Sequence, residues 1–280
     1  MARRSFVDEP MSQLATWSSR LALFALAVAA LSVAILRSGL MEIGPALATF
    51  AAALIFAAAA MLLAMVAFIV IWRHGLPGLG RAVRGLLLGI MLLAYPAYVG
   101  ERALKLPAIT DLTTDPANPP RFGALARERP KDRIAYPGAA AAALQHAAYP
   151  DIVPLQLALP VRTAYEVALA VIVKRKWPIA ETRAPSGRGD ATIEATARTL
   201  LMGFRDDVAI RVSPQGAGSR VDLRSASRYG EHDFGANAAR LRSLLEDIDD
   251  AAGSAPEPRP EPEPEKPAKR PAPKRPQPKR

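Results

Sequence analysis

The chain has 280 residues, a formal net charge of +10 and a hydrophobic fraction of 50%, of which little is aromatic. It contains no cysteine, which excludes a disulfide framework, a thiolate metal site and a cysteine nucleophile. The basic charge does not indicate nucleic-acid binding, because no basic stripe interleaved with aromatic residues precedes the C-terminal tail.

Three apolar runs in residues 1–105 predict a membrane region with three transmembrane helices. The expected spans are about 17–36, 47–72 and 83–100. A cleaved signal peptide is the alternative for the first run, but its long N-terminal region and the nearby second run favour an uncleaved helix. Gly85 and Gly89 have the spacing of a close helix crossing, although small residues are also simply common in such helices.

The distribution of basic residues selects one of two orientations for three spans. An N-terminus in the cytoplasm keeps six arginines inside, namely Arg3, Arg4, Arg20, Arg73, Arg81 and Arg84. It leaves three cations outside, namely Arg37, Arg102 and Lys105. We therefore expect a bacterial inner-membrane protein whose chain beyond residue 105 is periplasmic, with the lipid bilayer as its first partner.

Residues 106–252 predict an exported α+β domain of two layers, in which two helices cover an antiparallel sheet. The expected order is a helix beginning at Pro160, four strands that include a hairpin turning at 213–218, and a last helix running from its N-cap Asp233 to about Asp250. At the start of this domain, prolines in the segment 109–122 predict an ordered, extended lead-in. That segment lacks the Gly and the terminal Glu of a calcium loop, which argues against metal binding.

Residues 253–280 predict a disordered, proline-rich tail that ends the chain. Ten of the 25 residues from Pro256 onward are proline and none is a large apolar residue, so an extended polyproline-type conformation is expected. The tail is acidic first and basic afterwards. It either reaches an anionic envelope surface, such as lipid headgroups, or has no fixed partner.

Several motifs together resemble the bacterial domain-of-unknown-function family numbered 1499. They are the runs 204–208, 223–230 and 233–237, with Arg240 and Leu241 after them. The lead-in resembles the opening motif of membrane-attached members through Thr114, Asp115, Pro116, Pro119 and Pro120. The resemblance implies a small α+β domain, often exported or membrane-tethered, with no established activity. Other members can carry a cysteine near the start, and its absence here means that thiol chemistry does not transfer.

The stretch 224–240, which we call the corner, has the densest set of polar residues in the folded part. Its candidate ligand-binding residues are Arg224, Ser225, Ser227, Arg228, Asp233, Asn237 and Arg240. One interpretation is an anion pocket built from arginines and a helix N-terminus. The other is a structural ion network that pairs the three arginines with Asp206, Asp207, Asp222 and Asp233.

The sequence favours a membrane-tethered, non-enzymatic envelope protein that binds an anionic ligand or another envelope component. One alternative is a hydrolase, since Ser225 or Ser227 with His232 and Asp233 supplies the residue types of a triad, but no nucleophile-elbow motif accompanies them. A purely structural or scaffolding domain is the second alternative. We expect no metal and no cofactor, and neither the oligomeric state nor the ligand follows from the sequence.

Overall fold

The computed structural model describes residues 11–40, 42–186 and 189–254. The predicted tail therefore lies outside the described residues from position 255 onward, as do the two N-terminal arginines used in the orientation argument.

Three long apolar helices open the chain, as predicted, and each is long and apolar enough to cross a membrane. They are α1 (Gln13–Ser38), α2 (Ile43–His74) and α3 (Leu79–Lys105). The first two helices end at Gly39 and Gly75, which adopt the left-handed conformation that closes a helix without a steric penalty. All three helices extend beyond the apolar cores that the sequence indicates.

The helices cross closely where their residues are small. Gly85 lies directly against α1, since a Cβ atom at this position would overlap the Ser18 hydroxyl. Gly89 lies against α2, where a Cβ atom would come within 3.1 Å of the Ala57 carbonyl oxygen. The Ser18 hydroxyl also donates a 2.8 Å hydrogen bond to the Ala60 carbonyl. The glycine spacing therefore marks a real contact in this bundle.

The C-terminal domain has the predicted α+β class, with an antiparallel sheet and helices. Its helices are α4 (Ala139–Ala148), α5 (Val161–Lys174) and α6 (Ala236–Gly253). Its strands are β1 (Asp111–Thr113), β2 (Leu155–Leu157), β3 (Ile179–Arg183), β4 (Ala191–Arg198), β5 (Arg205–Gln215) and β6 (Gly218–Ser227). The described part thus has six strands rather than the expected four, because β1 and β2 are only three residues long and too short to show alternation.

The strand order is β1-β6-β5-β4-β3, and β2 pairs with the same edge of β6 that β1 occupies further along. β5 and β6 form the predicted hairpin over ten residue pairs. One face of the sheet is apolar and lies under α5 and α6. Its core includes Ile193, Val208, Ile210, Leu223, Leu241, Leu244 and Ile248.

The opposite face of the sheet is covered by residues 114–138, which we call the strap. The strap contains two short 3-10 turns, Leu125–Glu128 and Lys131–Arg133, and otherwise has no regular structure. Phe122 and Leu125 form a small apolar cluster with Ala209 and Ala226 of the sheet. The strap adds an irregular cover to the two predicted layers, so the strands β4, β5 and β6 are mostly buried on both faces, whereas β3 is largely exposed.

Candidate functional site

The corner runs from the last half of β6 into the first turn of α6. Because side chains alternate across a strand, Arg224 and Arg228 point toward the strap, whereas Ser225 and Ser227 point toward α6. The predicted set of polar residues is therefore brought together, but it is split between the two faces of the sheet.

Arg224 is one of the largest fully buried side chains of the protein, with a relative exposure of 2%. Its guanidinium group forms a bidentate pair with Asp111 of β1, at 2.9 Å from Nε to Oδ1 and 2.7 Å from Nη2 to Oδ2. It also donates to the Pro120 and Ile134 carbonyls of the strap. Its Cζ atom lies 4.4 Å from the centroid of the Phe122 ring, a cation–π distance.

Asp207 of β5 is completely buried and accepts hydrogen bonds from two arginines. Arg228 contacts its Oδ1 at 2.7 Å, and Arg129 of the strap contacts its Oδ2 at 2.8 Å. Arg228 reaches a second carboxylate, that of Glu128, at 2.7 Å. Arg129 also donates to the carbonyls of Ala226, Ser227 and Arg133. The charges of both arginines are thus compensated within the fold.

On the α6 side, the Ser225 hydroxyl donates to the Asn237 side-chain oxygen at 2.7 Å and accepts from Arg240 at 2.8 Å. The Asn237 amide nitrogen donates to the Ser227 hydroxyl at 3.0 Å. Arg240 forms an ion pair with Asp206. These bonds attach the first turn of α6 to the end of the hairpin.

The predicted N-cap Asp233 is wrong in position, because α6 begins at Ala236 and its N-cap residue is Gly235. Asp233 nevertheless binds the start of the helix. Its carboxylate accepts the backbone N–H groups of Gly235 at 2.9 Å and Asn237 at 2.8 Å. Gly235 makes this turn possible with a φ of 79°. Burial raises the pKa of Asp233, the charge of Asp206 adds to the rise, and the two backbone hydrogen bonds oppose it.

His232 is engaged at both ring nitrogens. Its Nδ1 atom accepts from the backbone N–H of Phe234 at 2.8 Å, so its Nε2 atom donates to the Leu106 carbonyl at 3.1 Å. The ring also stacks on the Phe234 ring, with 4.6 Å between centroids. His232 therefore joins the domain to the end of α3, and among the described residues its hydrogen bonds do not include the corner serines.

The opening motif of the domain connects the strap to the sheet. Thr114 exchanges two hydrogen bonds of 2.9 Å with Leu223 of β6, through its backbone N–H and its hydroxyl group. Asp115 pairs with Arg211 at 3.2 Å and with Arg220 at 3.0 Å. The remaining motif residues, Pro116, Pro119 and Pro120, lie in the irregular chain that follows, where the Pro120 carbonyl accepts from Arg224.

The ion-network interpretation assigns the corner arginines as a group to four aspartates. Two of these, Asp207 and Asp206, are the partners of Arg228 and Arg240. The interpretation misses the partners that come from the strap and from β1. Asp111 lies 113 residues before Arg224 in the chain, so no local spacing reveals that pair. Arg129 carried no distinguishing motif. Glu194 of β4 accepts the N–H groups of Gly123 at 2.6 Å and Leu125 at 2.9 Å. The sequence signal that could have indicated the arginine partner from the strap is the high density of Arg and Lys in residues 121–133.

A polar cleft of about 240 Å³ lies beside the corner, between the strap and the end of β6. Two arginines and three carboxylates line it, namely Arg129, Arg133, Asp111, Asp132 and Glu231. Its charges nearly balance, which does not favour a bound anion. Among the described residues, no group of three or more His, Asp or Glu side chains is placed to hold a metal ion.

The family model described as "Protein of unknown function (DUF1499)" matches residues 111–248. Most of the C-terminal domain is thus similar to this family. The match begins at β1 and ends in α6, so it includes Asp111 and every candidate residue of the corner. The expected resemblance is thereby confirmed for the DUF1499 domain.

No curated protein matches the chain. Two similar solved structures are CalU16 from Micromonospora echinospora and TTHA0849 from Thermus thermophilus. The first is 11% identical, with a TM-score of 0.21 over 36% of this chain and 82% of its own. The second is 14% identical, with a TM-score of 0.22 over 36% of this chain and 95% of its own. Similarity at this level does not indicate a shared ligand for the DUF1499 domain.

Proposed function

We propose that this protein is a membrane-tethered, non-enzymatic component of a bacterial cell envelope. Three apolar helices anchor it in the inner membrane, and its domain on the periplasmic side binds another envelope component or an anionic ligand. The observation that carries the proposal is the bonding of the corner, where the arginine charges are compensated and the serine hydroxyls and the histidine nitrogens are engaged. Such a site is built for support and binding rather than for nucleophilic chemistry.

The geometry does not favour the hydrolase alternative. The Ser225 hydroxyl is bonded to Asn237 and Arg240, whereas a serine nucleophile requires a histidine within hydrogen-bonding distance. The nitrogens of His232 are bonded to Leu106 and Phe234. Activation of Ser225 by His232 would require both sets of bonds to break.

The anionic-ligand form of the proposal centres on Arg240. Its side chain is 9% exposed, compared with 2% for Arg224 and 3% for Arg228. A ligand anion would replace Asp206 on the Arg240 guanidinium and would meet the Ser225 hydroxyl beside it. Arginine suits this exchange because its planar group binds carboxylate and phosphate in the same geometry.

Two experiments test the proposal. A reporter fused after Ser254 tests the side of the membrane, and cytoplasmic reporter activity would contradict the envelope assignment. For the ligand, thermal unfolding of the detergent-solubilised chain is followed with and without inorganic phosphate. We expect a rise in Tm that is lost in Arg240→Gln and kept in Arg162→Gln, an exposed arginine on α5. If the unaltered chain shows no rise, the scaffolding alternative replaces the anion site.

A further inference from the structure

The turn between β4 and β5 carries two exposed leucines and is held against the end of a candidate membrane span. Leu200 is 95% exposed and Leu201 is 40% exposed. Arg37, in the last turn of α1, donates to the Leu200 carbonyl at 2.7 Å and to the Leu201 carbonyl at 3.3 Å. In the opposite direction, Arg198 donates a hydrogen bond to the Arg37 carbonyl at 2.9 Å.

The turn has a fixed shape, so its leucines are not exposed merely by looseness of the chain. Thr199 accepts the Phe204 N–H through its hydroxyl oxygen at 2.9 Å and donates its own N–H to the Phe204 carbonyl at 2.9 Å. Gly203 has a φ of 72° and lies so close to α1 that a Cβ atom there would approach Arg37 Cγ to 2.8 Å. The contact with α1 therefore depends on a glycine.

The surroundings of the turn combine apolar and cationic groups. Leu40, in the connection after α1, is 86% exposed at the same end of the bundle. Arg37, Arg198 and Arg205 are all exposed there, and Arg205 approaches Gly39 of that connection. Exposed leucines beside arginines are typical of segments that lie in the membrane interface, with apolar side chains among acyl chains and guanidinium groups at the phosphates.

We propose that the β4–β5 turn is a second membrane anchor, which inserts Leu200 and Leu201 into the interface of the bilayer that the three helices span. The occupant of this surface is phospholipid, because Arg37 ends a span and so places the turn at headgroup level. Arg198 and Arg205 bind the lipid phosphates. The inference rests on the proposed membrane crossing of the helices, but it does not depend on the ligand or the side of the membrane.

A consequence is a fixed pose of the domain on the membrane. The turn and the His232–Leu106 contact hold it at two separate points, on α1 and on the end of α3. β5 runs away from the turn for 11 residues to the β5–β6 hairpin. That hairpin tip is therefore about 35 Å from the bilayer surface if the strand stands upright.

The absence of cysteine makes the test direct, since single-cysteine variants of the full chain can be labelled specifically. Leu200→Cys, Ala217→Cys at the exposed hairpin tip, and Ile55→Cys on the exposed surface of α2 are each labelled with a small fluorophore in phospholipid nanodiscs. Leu200 makes few contacts, so its replacement leaves the fold intact. Lipids brominated at shallow or deep acyl positions serve as quenchers.

We expect shallow bromines to remove about half of the emission from position 200 and almost none from position 217, as for an interfacial residue and a distant one. Deep bromines should quench position 55. If position 55 is quenched and position 200 behaves like position 217, the second anchor is refuted while the membrane tether stands. If position 55 is not quenched either, both the tether and the anchor are refuted.

Discussion

The strands β4, β5 and β6 are buried on both faces of the sheet, but one face is held mainly by aliphatic side chains and the other mainly by charged ones. The face under α5 and α6 is closed by aliphatic side chains such as Leu223 and Leu244, with exposures of 0%. The face under the strap is closed by buried charges, with Asp207 at 0% and Arg224 at 2% exposure. The difference follows from what covers each face: a helix satisfies its own backbone hydrogen bonds, whereas an irregular strap needs partners for them.

The charged side chains of the sheet supply those partners. The Glu194 carboxylate accepts two N–H groups of the strap, and the Arg224 guanidinium donates to two of its carbonyls. An unpaired buried backbone group costs about 1–3 kcal/mol, so the irregular cover stays in place only with such bonds. Arg224 thus has a structural role that explains its burial.

The largest expected effect comes from removing the carboxylate that two arginines share. Asp207→Ala leaves Arg129 and Arg228 buried without their common partner, so we expect a loss of about 3–5 kcal/mol in unfolding free energy. Chemical denaturation of the full chain in detergent, followed by near-UV circular dichroism, measures it. An unaltered midpoint would mean that water reaches this face and that the network contributes little.

Arg224 and Asp111 provide a test of whether the charged face needs charge at all. Arg224→Met alone leaves the buried Asp111 carboxylate without its partner, so we expect the free energy of unfolding to fall by about 3–5 kcal/mol. Arg224→Met combined with Asp111→Leu removes both charges, and part of that loss should be recovered. The part of the loss that is not recovered measures the cost of leaving the Pro120 and Ile134 carbonyls without the hydrogen bonds that Arg224 donates. Equal destabilisation of the single and double variants would contradict the pairing.

The pH dependence of Asp233 gives a smaller effect of known sign. The pKa of Asp233 is raised in the folded state, so the folded protein holds the proton more tightly than the unfolded chain does. This stabilises the fold fully below the unfolded pKa of 3.8, and the stabilisation is lost as the pH rises through the folded pKa. Asp233→Asn keeps a side-chain oxygen that can accept a backbone N–H at the start of α6, and it removes the titration. We therefore expect the variant to gain in Tm relative to the unaltered chain as the pH rises from 3.8. Parallel pH profiles would contradict the raised pKa.

The smallest effect is expected at an exposed ion pair outside both faces. Arg242 contacts Asp151 at 2.8 Å, but their side chains are 46% and 51% exposed. Asp151→Ala should cost only about 0.2–1 kcal/mol, because solvent screens the pair and ordering two long side chains opposes it. A cost close to that of Asp207→Ala would erase the distinction between buried and exposed pairs.

The sequence predicts the elements whose pattern is local. Alternation in β4, β5 and β6 and the apolar stripe of α6 follow from spacing, and the three apolar helices follow from composition. The strap does not, because its position depends on pairs such as Asp111–Arg224 and Arg129–Asp207, whose members are far apart in the chain. Residue types alone suggested both an anion site and an ion network, and only the geometry shows which carboxylate faces which arginine.

The central claim is that the buried charges between the sheet and the strap, such as Asp207 and its two arginines, hold the strap on the sheet. Hydrogen–deuterium exchange of the full chain in nanodiscs tests it most directly, by comparing amides of 121–134 with those of β5 and α6. We predict slow exchange at Gly123 and Leu125 in the unaltered chain, and fast exchange of the strap with α6 still protected in Asp207→Asn. Fast exchange of the strap in the unaltered chain, or loss of protection in α6 together with the strap, would contradict the claim.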